Sequence, residues 1–253
     1  MTLTDDIMAN TATTKAYAKN AQVVVVKDGT DYTSTADLIG KTVVAEAGSA
    51  GEAAIEGDEN LAQADYVSKS VQTDCLMEVA AGTADAAVLD LTLANAMIGE
   101  GTSYPNLKHT DELTTEEYGV GCRKGSDLAS YINQVFADSY KDGSMEKIAE
   151  TYGVQEALVE QKDATFEQSQ KDSDVDYIKG RGKLVVGVTD FEPMDYKDKD
   201  GNWIGFDADM AKLVGEKLGV EVDFVEIDWD NKVMEPVSYT NLRAHETSAH
   251  LVC

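Results

Sequence analysis

Residues 40–55 read GKTVVAEAGSAGEAAI. Positions 40–45 predict a strand, carried by the β-branched Thr42, Val43 and Val44. The run breaks at Gly48, and Ser49, Ala50 and Gly51 lead into the helix formers Glu52, Ala53, Ala54 and Ile55. A strand, a glycine-rich turn and a helix start leave backbone N–H groups pointing outward, a place where an anion can be held. The same grammar extends to both sides. Residues 22–26 form a β-branched run closed by Lys27, Asp28 and Gly29, and residues 35–38 predict a single helical turn. Residues 65–67 predict a further strand, and Val71, Cys75 and Val79 recur at helical spacing. Residues 86–89 are a buried strand ending in Asp90, followed by a helix over 91–98. Strands alternating with helices imply an α/β layer with a mostly parallel sheet.

After a short strand at 118–122, Leu128, Ile132, Val135, Phe136 and Tyr140 define one apolar helical face. Met145, Ile148 and Tyr152 define another beyond Asp142 and Gly143. Residues 161–181, QKDATFEQSQKDSDVDYIKGR, are polar and nearly free of branched aliphatics, as expected of a linker. Beyond them the pattern restarts with a strand at 183–188 and a hairpin-type turn at 198–201. Phe206, Met210, Leu213, Val214 and Leu218 then form a helical stripe closed by Gly219, and 220–225 alternate as a strand. The pattern stops after Trp229.

Composition narrows the function. The 253 residues are 43% hydrophobic and 27% charged, an ordinary globular balance. The net charge of −26 repels phosphate backbones and anionic lipid, so neither nucleic acid nor a membrane surface is expected as a partner. No apolar run approaches the roughly 20 residues a membrane span needs, so no direct membrane insertion is expected. Residues 1–19 lack the apolar core of a signal peptide. None of the three cysteines sits in a C-x-x-C pair, and Cys75 and Cys122 fall where small buried residues belong. His109, His245 and His250 are too scattered for a metal cluster, and His109 is expected in a loop. No triad, HExxH, GxGxxG or Walker pattern is present, so no cofactor, no metal and no enzymatic activity are expected.

Several segments together resemble the amino-acid-type extracellular solute-binding proteins, family 3, of ABC importers. They are residues 1–5 (MTLTD), 43–52 (VVAEAGSAGE), 85–90 (DAAVLD), 118–125 (YGVGCRKG) and the whole of 182–235. The resemblance implies two α/β lobes of the periplasmic-binding-protein fold, joined by two crossing strands near 20–22 and 117–119, with a small solute bound in the cleft. Its segments stand out of the family's order. Residues 1–21 and 118–160 are similar to the later part of a first lobe, and 22–117 to a complete second lobe. Residues 161–181 are the linker, and 182–235 are similar to the beginning of a first lobe. A tandem receptor read through a window explains that order. Residues 182–235 are then expected to dock where the first copy's lobe is incomplete, completing it in permuted fashion. Residues 236–247, PVSYTNLRAHET, resemble a translated sequencing adapter, so 236–253 are expected to be an artefactual tail.

The resemblance also nominates contacts. Asp90 matches the carboxylate that takes the ligand's ammonium; its competing role is the N-cap of the helix from Leu91. Ser49, with the N–H groups of Ala50 and Gly51, matches an anion-facing turn, and Thr2 a ligand hydroxyl; each could equally serve its turn alone. Phe191 and Trp229 match aromatic walls or else belong to the core, and Asp190 is a weaker candidate. The family's carboxylate-clamping Arg falls at Ile7, and Lys15 is a substitute that no spacing compels. A cationic or polar nitrogenous solute without an α-carboxylate fits Asp90 and needs no such Arg. The resemblance thus implies an extracytoplasmic receptor, its export signal lying upstream, that delivers solute to an ABC permease. A sensor-kinase input domain is the alternative, and a dehydratase a further one.

Overall fold

A computed structural model describes residues 1–227, Trp229 and the backbone of 250–252. They divide into two compact units. One holds 1–19, 117–190 and 194 onward; the other holds 20–116 with 191–193.

The chain begins in unit 1 with α1 (Asp5–Asn10) and β1 (Ala12–Thr13), and β2 (Ala18–Lys27) carries it into unit 2. There follow β3 (Thr42–Glu46), α2 (Ala50–Gly57), β4 (Asp65–Lys69), α3 (Gln72–Ala81), β5 (Ala86–Asp90) and α4 (Leu91–Met97). The long β6 (Leu107–Tyr118) leads back. Unit 2 is one sheet of order β4-β3-β5-β2-β6. β3 is parallel to β4 and β5, whereas β2 runs antiparallel to β5 with Val24 opposite Val88. The sheet is therefore mixed where a mostly parallel one was expected.

Val23 to Val26 are all fully buried. Val23 and Val25 pack with Leu76, Val79 and Leu89 on one face. Val24 and Val26 pack with Ile55, Leu61 and Val88 on the other. A strand covered on both faces needs an unbroken apolar run, and each such valine contributes roughly 1.5–2 kcal/mol of burial. β6 has the opposite character, its residues alternating between partly buried and exposed. His109 lies on this strand, not in a loop. Charged and polar side chains suit an edge strand, where they discourage further pairing, and they also conceal it in the sequence.

Unit 1 continues with β7 (Gly121–Cys122), α5 (Leu128–Asp142), α6 (Ser144–Tyr152), α7 (Asp174–Arg181) and β8 (Lys183–Val188). The hairpin β9 (Tyr196–Lys197) and β10 (Trp203–Ile204) precedes α8 (Phe206–Leu218), β11 (Glu221–Glu226) and β12 (His250–Val252). Its sheet runs β1-β7-β12-β8-β11, with β11 and β12 both parallel to β8. The expected tail at 236–253 lies outside the described residues except for β12, whose backbone pairs with β7 and β8.

Residues beyond 182 do dock with the early segments. Phe206 stacks on Tyr17 at 5.9 Å, and Phe136 meets the same ring edge-on at 5.6 Å. Ile132 and Phe136 of α5 line a small apolar hollow with Met210, Ala211 and Val214 of α8. Aromatic contacts of this kind add roughly 0.5–1.5 kcal/mol each beyond area burial. On α5, Leu128, Ile132, Val135 and Phe136 are buried as expected, but Tyr140 is 37% exposed. The apolar stripe drifts to the surface before the helix ends at Gly143.

The polar stretch 161–181 carries α7 in its last third. Asp127 caps that helix from a distance. Its buried carboxylate accepts from the N–H of Asp174 (2.9 Å), Val175 (3.2 Å) and Ser169 (3.1 Å) and from the Ser173 hydroxyl (2.5 Å). Arg123 Nη2 adds an ion pair to Asp174 at 2.8 Å. Val175 and Ile178, three residues apart, supply the one buried face.

Candidate functional site

The strand ends of unit 2 gather polar side chains around Asp90. The residue closes β5 and is 6% exposed. It holds the N-cap position of α4, yet its side chain makes no capping bond. Instead Asn20, Gln22 and Gln72 donate to its carboxylate from their side-chain amides, Gln22 at 2.8 Å. Gln72 also accepts the Asp90 backbone N–H at 3.0 Å. Gln22 faces Asp90 directly across the β2–β5 ladder. Three amide donors favour a carboxylate anion, each such bond being worth roughly 1.5–3 kcal/mol.

A second carboxylate joins the cluster. Glu116, near the end of β6, accepts from Asn20 Nδ2 at 2.6 Å and from Gln22 Nε2 at 2.7 Å. Thr92 fixes the other end of Asn20, donating to Oδ1 from its backbone (3.1 Å) and its hydroxyl (2.8 Å). Those donors set the orientation of the Asn20 amide, and the two carboxylates set that of Gln22.

The turn before α2 lies in the same unit. Ser49 caps the helix, its Oγ accepting from Glu52 N at 3.2 Å, while Glu52 returns a bond to Gly48 N at 2.6 Å. Gly51 is there because of a close approach: a Cβ would stand 2.7 Å from the Val88 carbonyl oxygen and 3.1 Å from Gln22 Oε1. Ser49 and Gly51 therefore each have a local structural duty, and Ala50 opens α2 between them. Phe191 packs against the unit 2 core.

The remaining candidates belong to unit 1. Trp229 packs with Met1, Ile7 and Ile227 in an apolar cluster. Ile7 is 5% exposed, so the position where the resemblance calls for Arg is a core position in this chain. Thr2 bridges to Tyr118, and Lys15 is exposed. Asp190 is exposed, its carboxyl pushed above the usual range by partial desolvation and by Glu226. Asp195 and Asp207, which no sequence pattern singled out, are buried in unit 1. Burial raises both, Asp207 to about 6, and the Asp207 charge raises Asp195 further. Tyr17 donates to Asp207 at 2.6 Å.

Cys75 and Cys122 are buried free thiols pushed up by burial, which makes them inert. Among the described residues no group of three or more His, Cys, Asp or Glu could hold a metal ion. Among them, too, no helix is long and apolar enough to cross a membrane.

Open α/β sheets place ligand contacts at the carboxyl ends of their strands, and Asp90 stands at such an end in unit 2. Residues 184–238 match the model of the bacterial extracellular solute-binding proteins, family 3. The Bacillus subtilis protein described as "Probable amino-acid-binding protein YxeM" is 33% identical over 153 residues, 59% of this chain and 58% of that protein. A variant of ArgBP from T. maritima superposes with a TM-score of 0.55 at 30% identity, over 60% of this chain and 66% of that one. Cyclohexadienyl dehydratase of Pseudomonas aeruginosa is 37% identical over 62 residues, 24% of this chain and 23% of the enzyme. The chain is similar to the family 3 solute-binding proteins over residues 184–238, and it spans less than two thirds of the length of each of these relatives.

Proposed function

We propose that the chain is an extracytoplasmic receptor for a small nitrogenous solute, amino-acid-like or cationic, that it hands to an ABC permease. The observation that carries this reading is Asp90: a buried carboxylate at the end of a sheet strand, diverted from capping α4 and held by three side-chain amides. A buried anion gains most from a cationic partner, and a ligand ammonium or guanidinium supplies one. Neutral amides hold such a carboxylate in place without neutralising it. The family match and the amino-acid-binding relatives support the solute class, and the net charge of −26 favours cations over anions at a distance. Delivery to a permease and residence outside the cytoplasm are part of the same proposal, which the family 3 match over residues 184–238 supports.

Binding without turnover is the reading preferred to dehydration. The dehydratase relative matches only 62 residues. Calorimetric titration of the full chain with L-arginine, agmatine, L-histidine, L-glutamine and L-citrulline tests the proposal. At least one of these is expected to bind, and Asp90→Asn is expected to weaken it by about a hundredfold. Failure of the whole panel, or an Asp90→Asn variant that binds as the parent does, would sink it.

A further inference from the structure

We propose that Asp28 and Gly29 form a site of spontaneous covalent modification, where aspartate rearranges to isoaspartate through a cyclic imide. The sequence contains the tripeptide Lys-Asp-Gly three times, at 27–29, 141–143 and 199–201. An Asp-Gly pair favours this reaction because glycine puts no side chain in the way of its own nitrogen and leaves the backbone free to turn. Local sequence therefore treats the three sites alike. So does local conformation: Gly29, Gly143 and Gly201 have φ of 81°, 80° and 84°, and a Cβ at any of them would meet nothing within 4 Å. What separates the sites is where each glycine N–H and each aspartate carboxylate is directed.

At 28–29 the glycine nitrogen faces the carboxyl group of the residue before it. Gly29 N donates to Asp28 Oδ1 at 2.9 Å, and both residues are exposed in the turn that follows β2. The other two sites divert these groups. Gly143 N donates to the Tyr140 carbonyl oxygen at the end of α5, and Asp142 Oδ1 accepts from Ser144 N at 2.9 Å. Hydrogen bonds from the Ser144 side chain and backbone also hold the Asp142 carboxyl below the usual carboxylate range, away from the protonated form that reacts. In the β9–β10 hairpin, Gly201 N donates to the Asp198 carbonyl oxygen at 3.0 Å. A nitrogen already in contact with its reaction partner gains from proximity, whereas one committed to a carbonyl must first break that bond. The chemistry needs only solvent. The Gly29 nitrogen bonds to Asp28 Cγ, the Cγ–OH bond breaks, and the hydroxyl leaves as water with the amide hydrogen. A second water then opens the imide. Attack at Cγ restores aspartate, while attack at the Asp28 backbone carbonyl carbon leaves the chain running through Cγ, one carbon longer and unchanged in mass. Asp28 N donates to Asn106 O at 2.8 Å, which ties the exit of β2 to the approach to β6, so the extra carbon enters beside that link.

The experiment ages the full chain in mildly acidic buffer, once folded and once in concentrated urea, and maps isoaspartate at the three sites by peptide chromatography with electron-transfer fragmentation. In the folded chain, isoaspartate at 28 is expected to exceed that at 142 and at 200 by about fivefold or more, while in urea the three sites should agree within about twofold. Asp28→Glu, whose longer side chain closes this ring poorly, is expected to remove the product at 28 and to leave 142 and 200 as they were. Product in the folded chain that favours 142 or 200, or that keeps the ratios found in urea, overturns the proposal. So does a folded chain with no product at 28, whatever the urea sample shows, because the turn would then protect the bond.

Discussion

Both units bury carboxylates, but for opposite ends. In unit 2, Asp90 and Glu116 converge at the strand ends and are met by the side-chain amides of Asn20 and Gln22. In unit 1, Asp127, Asp195 and Asp207 lie inside the fold, and Asp127 and Asp207 tie together segments far apart in sequence. Asp127 reaches 47 positions to Asp174, and Tyr17 reaches 190 to Asp207. The contrast teaches that a buried acid is read by its partners. Backbone N–H groups make it a latch, a lone hydroxyl with burial makes it a proton holder, and convergent neutral amides favour its anion.

Substitutions can break this contrast, and the largest effect is expected at the latch. Asp127→Ala leaves three backbone N–H groups and the Ser173 hydroxyl without their acceptor, and is expected to cost about 4 kcal/mol. Urea unfolding would measure the loss, and hydrogen exchange should rise first across 169–176. Protection retained there would mean α7 is held by Val175 and Ile178 alone.

Ile7→Arg is the next largest. It places a guanidinium among Met1, Ile227 and Trp229 and is expected to destabilise unit 1 by about 3 kcal/mol, with no gain for ligands that carry a carboxylate. A variant that melts like the parent and binds L-arginine more tightly than agmatine would instead place position 7 at the ligand.

Asp207 sharpens the comparison through pH. Its folded pKa of about 6 lies above the ordinary carboxylate value, so the native state holds the proton more tightly than the unfolded chain. Stability from this group is therefore complete below about pH 4 and declines as pH rises through about 6. Asp207→Asn keeps an acceptor for Tyr17 and cannot ionise. Its unfolding free energy is expected to exceed the parent's at pH 8 by an amount on the order of 2 kcal/mol, with a higher melting temperature, and to converge with it near pH 4. A gap independent of pH would show that the charge plays no part.

A smaller loss is expected at the Asp90 cluster. Asp90→Asn leaves one acceptor oxygen where two served three amide donors, and should cost about 2 kcal/mol of unfolding free energy, below the loss at Asp127, even as binding falls sharply. A loss as large as that of Asp127→Ala would make Asp90 a latch too and erase the distinction between the units.

Local sequence determined most of unit 2. The valine run of β2, the Ser49 cap, the spacing of Val71, Cys75 and Val79, and Asp90 closing its strand all rest on interactions within a few residues, and periodicity reports those. The core of α5 was legible for the same reason. Tertiary structure alone decided the rest. Glu116 looked like one acid among many in TTEEY, and Gln22 and Gln72 like polar edges of apolar runs, until the sheet order brought β2, β5 and β6 side by side. Asp127 became a cap only because residues 169–175 fold back to it, and Ile7 became core only beside Ile227 and Trp229. Each of these pairings closes a long loop, and side-chain period carries no information about which distant strand or helix will arrive at the other end.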